Sequence, residues 1–160
     1  MDLKQLKINE IAKIGIFISL ITVGAFIQIP LFIIPVTLQY AMINVSALTL
    51  KKGHATIAVC LYIVIGLLGL PVFASGSGIS YIFRFGFGFL LGFIAITVIS
   101  PWLYQKLQIK TKFAVEITLL LSWIVLYLVA LPYCYMLANF VLGTQMSAMK
   151  IIQSLFVVFI

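Results

Sequence analysis

Long apolar runs broken by short polar or basic interruptions set the pattern of this sequence. Runs such as ATIAVCLYIVIGLLGL carry no alternation of polar and apolar positions. They are therefore not strands of a transmembrane barrel, which alternate over about ten residues. In lipid every backbone polar group must be paired internally, and a continuous apolar run meets that demand as a helix. The pattern predicts spans over 11–29, 37–50, 55–72, 82–104 and 113–142, with a sixth opening near 147. A crossing needs about 20 residues, so the second span is short. The fifth is long and carries Pro132, which predicts a tilt or a kink. The expected fold is an all-α polytopic transmembrane bundle of six spans in a single domain, 1–160, without a linker.

One interruption raises a question. The stretch QIPLFIIPVTLQY, residues 28–40, places Pro30 and Pro35 between apolar flanks, with Thr37 and Gln39 after them. Proline removes a backbone donor and disfavours helix in the residue before it. The helix is thus expected to break where polar groups are hardest to satisfy.

Composition fixes the setting. Hydrophobic residues make up 64% of the chain and charged residues 8%, against about 25% charged in a soluble domain. There is too little charge to coat a water-facing surface, and lipid is the implied surrounding. The net charge of +7 is a topology signal. Lys4, Lys7 and Lys13 precede or open the first span. Lys51 and Lys52 lie between the second and third, and Lys106, Lys110 and Lys112 between the fourth and fifth. Basic clusters at alternate connections mark cytoplasmic loops. The N-terminus is expected in the cytoplasm, with 30–36, 71–84 and 143–147 facing outward in a multi-pass protein. Nucleic acid is not an expected partner. The opening MDLKQLKINE reads as a cytoplasmic lead-in and not as a cleaved signal peptide.

The reactive inventory is thin. His54 is the sole histidine, read as a solvated loop residue. Cys60 and Cys134 stand alone, and Cys60 reads as packing. The acids Asp2, Glu10 and Glu116 lie near the cytoplasmic ends of spans. No set of three or four ligands gathers for a metal, and no pair of working carboxylates faces each other. No GxxxxGK[ST] is present, so the chain does not hydrolyse ATP by itself. Ion-coupled carriers keep acids at mid-membrane, and none is placed there. No internal repeat suggests an inverted-repeat transporter. These absences argue against an enzyme and against a proton-coupled pump, call for no cofactor, and leave a binding, conducting or structural role.

Glycine concentrates in GLLGLPVFASGSGISYIFRFGFGFLLGF, residues 66–93. Gly76 and Gly78 lie in its turn, while the Gly88/Gly92 pair reads first as helix packing. Arg84 is the sole arginine, at the expected outer end of a span. It reads either as an interfacial snorkel or as a carboxylate clamp, since guanidinium binds carboxylate through two parallel bonds.

Two stretches carry a family resemblance. IPVTLQ at 34–39 and GLLGLPVFASGSG at 66–78 resemble signatures of the BioY family, the biotin-specific substrate-binding S components of energy-coupling factor (ECF) transporters. Their order and spacing agree with the family, as do six spans with the N-terminus inside. FGFGFLLGF at 85–93 is similar to the family's PTGGYLLGF, with Phe85, Gly86, Phe87 and Phe89 departing from it. Pro132 and Tyr133 match a family-like LPY in the fifth span.

The resemblance implies a biotin pocket near the outer side of a bacterial cell membrane. Pro35 would shape a segment folding over it, and Gly76 and Gly78 would close it. Thr37 and Gln39 would offer hydrogen bonds, Arg84 would hold the carboxylate, and Phe73, Tyr81 and Tyr133 would form walls. Asn44 and Asn139 are buried amides that either touch ligand or tie helices. The implied partners are an ECF membrane coupling subunit and two ABC-type ATPases. Ala12, Gly15 and Ser19 would form the small-residue face that docks on the coupling subunit. A relative specific for another vitamin, or a structural membrane subunit without ligand, is the alternative. The sixth span offers about 14 residues, or about 21 Å of helix, against a core of about 30 Å. In the family the last helix carries a PxxPGDxxK-like stretch after a run such as LFVVFI. The reading frame is therefore expected to continue beyond Ile160 with a Gly-Asp and a Lys three residues after the Asp. Residues 1–160 alone are expected to bind biotin poorly.

Overall fold

The structure, a computed structural model, describes residues 8–29, 36–51 and 53–143. Its elements are α1 (Ile8–Phe26), β1 (Gln28–Ile29), β2 (Val36–Thr37), α2 (Gln39–Thr49), α3 (His54–Leu67), a 3₁₀ turn (Ile79–Phe83), α4 (Phe85–Leu107), α5 (Ala114–Met136) and a π turn (Leu137–Val141). The expected break at Pro30 and Pro35, the lead-in lysines, Lys52 and the sixth span lie outside the described residues.

The burial pattern is that of a helical bundle in lipid. Its outer faces carry Ile16, Val23, Val98, Leu120, Ile124 and Leu128, each more than half exposed. Its interior holds Ser46, Ser100, Thr118 and Ser122, each fully buried, beside Ile21, Ile43, Val59 and Ile96. A soluble protein would reverse that arrangement. The buried hydroxyls satisfy themselves locally. Ser46 donates to the Ile43 carbonyl at 2.7 Å and Thr118 to Ala114 at 2.7 Å.

Among the described residues, three helices are long and apolar enough to cross a membrane: α1, α4 and the run Ala114–Val141. The shorter α3 is also apolar. It ends at Leu67 and not near residue 72. Gly69 adopts φ 107° and Pro71 follows, so the chain turns while its sequence stays apolar. Pro132 sits inside α5, and the helix widens into the π turn five residues later, with Leu142 N–H bonded to the Leu137 carbonyl at 3.0 Å.

Glycines set the close approaches. On α4, a Cβ at Gly88 would lie 3.1 Å from the Ala130 carbonyl, and one at Gly92 3.0 Å from the Leu126 carbonyl. These two glycines let α4 lie directly on α5. Gly24 on α1 does the same for the start of α2, 3.1 Å from the Gln39 nitrogen.

Two expectations need correction. His54 is no solvated loop residue: it is the first residue of α3 and 6% exposed. Cys60 is exposed instead of packed, because it lies on the outer face of α3, where a small apolar thiol meets lipid as readily as protein.

Candidate ligand-binding site

The start of α2, the end of α3 and the start of α4 converge at one end of the bundle. The loop 68–78 caps them. They enclose a cavity of about 80 Å³ whose wall includes Thr37, Gln39, Tyr62, Phe73, Tyr81 and Phe93. It lies at the end opposite Lys13, Lys51, Lys110 and Lys112, which sit at the start of α1, between α2 and α3, and between α4 and α5.

The loop is built around one ring. Phe73 is 2% exposed and packs edge-on to Tyr62 at 5.5 Å and against Tyr81 at 4.4 Å. It lies over Gly66, where any Cβ would strike the ring. Glycine at 66 is therefore what admits the aromatic. Gly78, with φ 88°, donates its N–H to the Gly66 carbonyl at 2.8 Å and pins the far end of the loop to α3. Arg84 donates from Nη1 to the Ser75 carbonyl, and its guanidinium lies 5.8 Å from the Tyr81 ring centre. Gly76, whose φ of 118° favours glycine, lies beside that guanidinium.

One polar chain runs through this apolar setting. Gln39 is 4% exposed and donates from Nε2 to the Tyr62 hydroxyl at 2.7 Å. Tyr62 in turn donates to the Val72 carbonyl at 2.8 Å. The single hydroxyl proton is thus committed to the loop, and Gln39 supplies the donor that the oxygen accepts. The Gln39 Oε1 accepts no hydrogen bond among the described residues. Thr37 reaches the same wall because β1 and β2 pair antiparallel, with Gln28 opposite Thr37.

Of the residues singled out in the sequence, Thr37, Gln39, Phe73 and Tyr81 line this cavity. Arg84, Gly76 and Gly78 hold the loop above it. Pro35 lies outside the described residues. Asn44 and Tyr133 are placed elsewhere. Asn44 Oδ1 accepts from Ser122 at 3.0 Å and from Ser100 at 3.3 Å, while its Nδ2 donates to the Tyr40 carbonyl at 3.0 Å. Both ends of the amide are engaged: the oxygen ties α2 to α4 and α5, and the nitrogen bonds back within α2. Tyr133 donates to the Ile82 carbonyl and packs on Phe87 at 5.7 Å, joining α5 to the 3₁₀ turn. Asn139 is half-buried and donates to the Tyr135 carbonyl at 3.2 Å. Tyr62 escaped the sequence reading. Its signal was a phenolic hydroxyl inside an apolar run, one helical turn before Gly66.

The placement of Asn44 makes a prediction. Asn44→Leu removes the acceptor shared by two buried serines and should cost about 1–3 kcal/mol of stability. Its thermal unfolding midpoint in detergent should fall, with ligand affinity of the folded fraction unchanged. An affinity loss without a stability loss would instead make Asn44 a ligand contact.

On α1, Ala12, Gly15 and Ser19 all lie on the exposed face. A Cβ at Gly15 would meet nothing within 4 Å, and Ser19 bonds only back to the Gly15 carbonyl at 3.1 Å. Within the described residues, this small-residue stripe packs against no other helix.

The sequence model described as the BioY family matches residues 1–160. A probable biotin transporter BioY of Lysinibacillus sphaericus is 34% identical over 145 residues, which cover 91% of this chain and 74% of that protein. The biotin transporter BioY of Thermotoga maritima is 40% identical over 97 residues, covering 58% of this chain and 57% of that protein. Among solved structures, the fold resembles the S-component for biotin from an ECF-type ABC transporter, with a TM-score of 0.69 and 21% identity. That match covers 99% of this chain and 92% of the other.

Proposed function

The chain belongs to the BioY family, and from that premise we propose that it is the substrate-binding S component of a vitamin uptake transporter, capturing biotin outside the cell. It is a membrane transporter subunit and not an enzyme. In this reading it is one domain of six spans in the bacterial plasma membrane, with its N-terminus in the cytoplasm. An ECF membrane coupling subunit and two ABC-type ATPases supply the energy.

The observation that carries the reading is the glycine-hinged, aromatic-walled cavity with Gln39 and Tyr62 inside it. Biotin pairs an apolar bicyclic body with a ureido group that donates and accepts, and with a carboxylate. Phe73, Tyr81 and Phe93 suit the body. The open acceptor of Gln39 suits a ureido N–H, and Arg84 at the rim suits the carboxylate. At about 80 Å³ the cavity is well below the 300 Å³ or more typical of ligand pockets. Ligand entry therefore requires the 68–78 loop to lift Phe73 from its seat over Gly66. The lysines at the opposite end support an outward-facing site.

The test is uptake of labelled biotin by bacterial cells that lack a biotin transporter of their own. Saturable uptake is expected when this protein is expressed with a coupling subunit and two ATPases. No uptake above the empty module would overturn the assignment.

A further inference from the structure

At the basic end of the bundle, Asn9, Glu10 and Lys13 of α1 face Thr49, Lys51 and His54 across a second cavity of about 210 Å³. Lys51 and Glu10 form an ion pair on its wall, so the one carboxylate there is already compensated. Lys13 is exposed and has no ion-pair partner among the described residues.

His54 provides an independent sign. It is 6% exposed, yet its imidazole makes no hydrogen bond among the described residues, and it lines the cavity. Among the described residues no fully buried side-chain nitrogen lacks a partner, so the imidazole nitrogens are reached from the cavity, where a ligand or water can satisfy them. His54 also opens α3, whose N-cap Gly53 provides no side-chain cap and whose first turn holds no acid. The first-turn N–H groups of a helix carry partial positive charge and favour an anion.

We propose that this cavity is an anion site that takes a phosphate group, either from the headgroup of an anionic phospholipid or as free phosphate. Lys13 supplies charge, His54 a ring N–H donor, and the α3 N-terminus further donors. A tetrahedral oxyanion uses converging donors from several directions, which these three groups offer. The basic end is the end that the positive-inside pattern sets against an anionic leaflet. The proposal goes beyond biotin transport and does not depend on it.

The experiment uses the full-length protein in phosphatidylcholine nanodiscs titrated with phosphatidylglycerol, and in neutral detergent titrated with inorganic phosphate. Native mass spectrometry reads the bound species. Wild type is expected to retain phosphatidylglycerol, inorganic phosphate, or both. The lipid alone identifies the headgroup as the source, and inorganic phosphate alone identifies the free ion. Lys13→Gln should weaken binding about fivefold, and His54→Phe should weaken it too. Lys110→Gln, in the connection between α4 and α5, should leave it unchanged. Lys13 is exposed, so its variant keeps the test valid if His54→Phe does not fold. Absence of both ligands, or equal weakening by Lys13→Gln and Lys110→Gln, overturns the site. So does unchanged binding in Lys13→Gln. Biotin binding by Lys13→Gln should match wild type, so failure here is separate from failure of the transport reading.

Discussion

A leucine at Gly15 is expected to stop biotin uptake while leaving biotin binding intact. The position is mid-helix on the exposed face of α1, and an added Cβ meets nothing within 4 Å. Leucine should therefore fit without disturbing the fold, and it is a better helix former than glycine. It also fills the stripe formed with Ala12 and Ser19. Helices in lipid associate through close packing at small residues, so a leucine there holds a partner helix away. The cavity capped by Phe73 lies at the opposite end of the bundle from the first turn of α1. Co-purification with the coupling subunit should be lost, transport should fall to background, and binding by purified protein should match wild type. Normal assembly and transport in Gly15→Leu would place the docking face elsewhere.

Arg84→Ala should weaken biotin binding by about 1.5–3 kcal/mol, or about 10- to 150-fold, by removing a charge-assisted pair. Arg84 is exposed, and only its Nη1 is engaged, on the Ser75 carbonyl. Its remaining donors are available to a carboxylate at the rim. The thermal midpoint should shift little, because an exposed side chain carries little of the fold. Lysine should restore only part of the affinity, since it keeps the charge but lacks the fork. Unchanged affinity in well-folded Arg84→Ala would leave the arginine a loop tie and an interfacial anchor.

The helices were legible because apolar runs in a membrane chain have few alternatives to helix. Their ends were less so. The third apolar run continues through Leu70, and the turn at Gly69 and Pro71 is a backbone event that hydropathy does not register. Thr37, Gln39, Phe73 and Tyr81 stood out because they flank breaks in the pattern, and the structure gathers them on one cavity wall. Asn44 stands beside them on residue type, and Tyr133 on its family-like LPY. Their partners, Ser100, Ser122 and the Ile82 carbonyl, lie on elements remote in sequence, so only the packed bundle reveals them as ties. Tyr62 was hidden for the converse reason: its partners, Gln39 and Val72, come from α2 and the loop. His54 looked solvated beside two lysines, yet α1 covers it.

The central claim is that the cavity capped by Phe73 binds biotin through Gln39. Equilibrium binding of labelled biotin to the detergent-purified full-length protein tests it most directly, with wild type and Gln39→Leu compared side by side. The account predicts saturable binding at one site per chain, weakened about 5- to 100-fold in Gln39→Leu by loss of a buried hydrogen-bonding group. Saturable binding unaffected by Gln39→Leu, or no binding by wild-type protein, would contradict it.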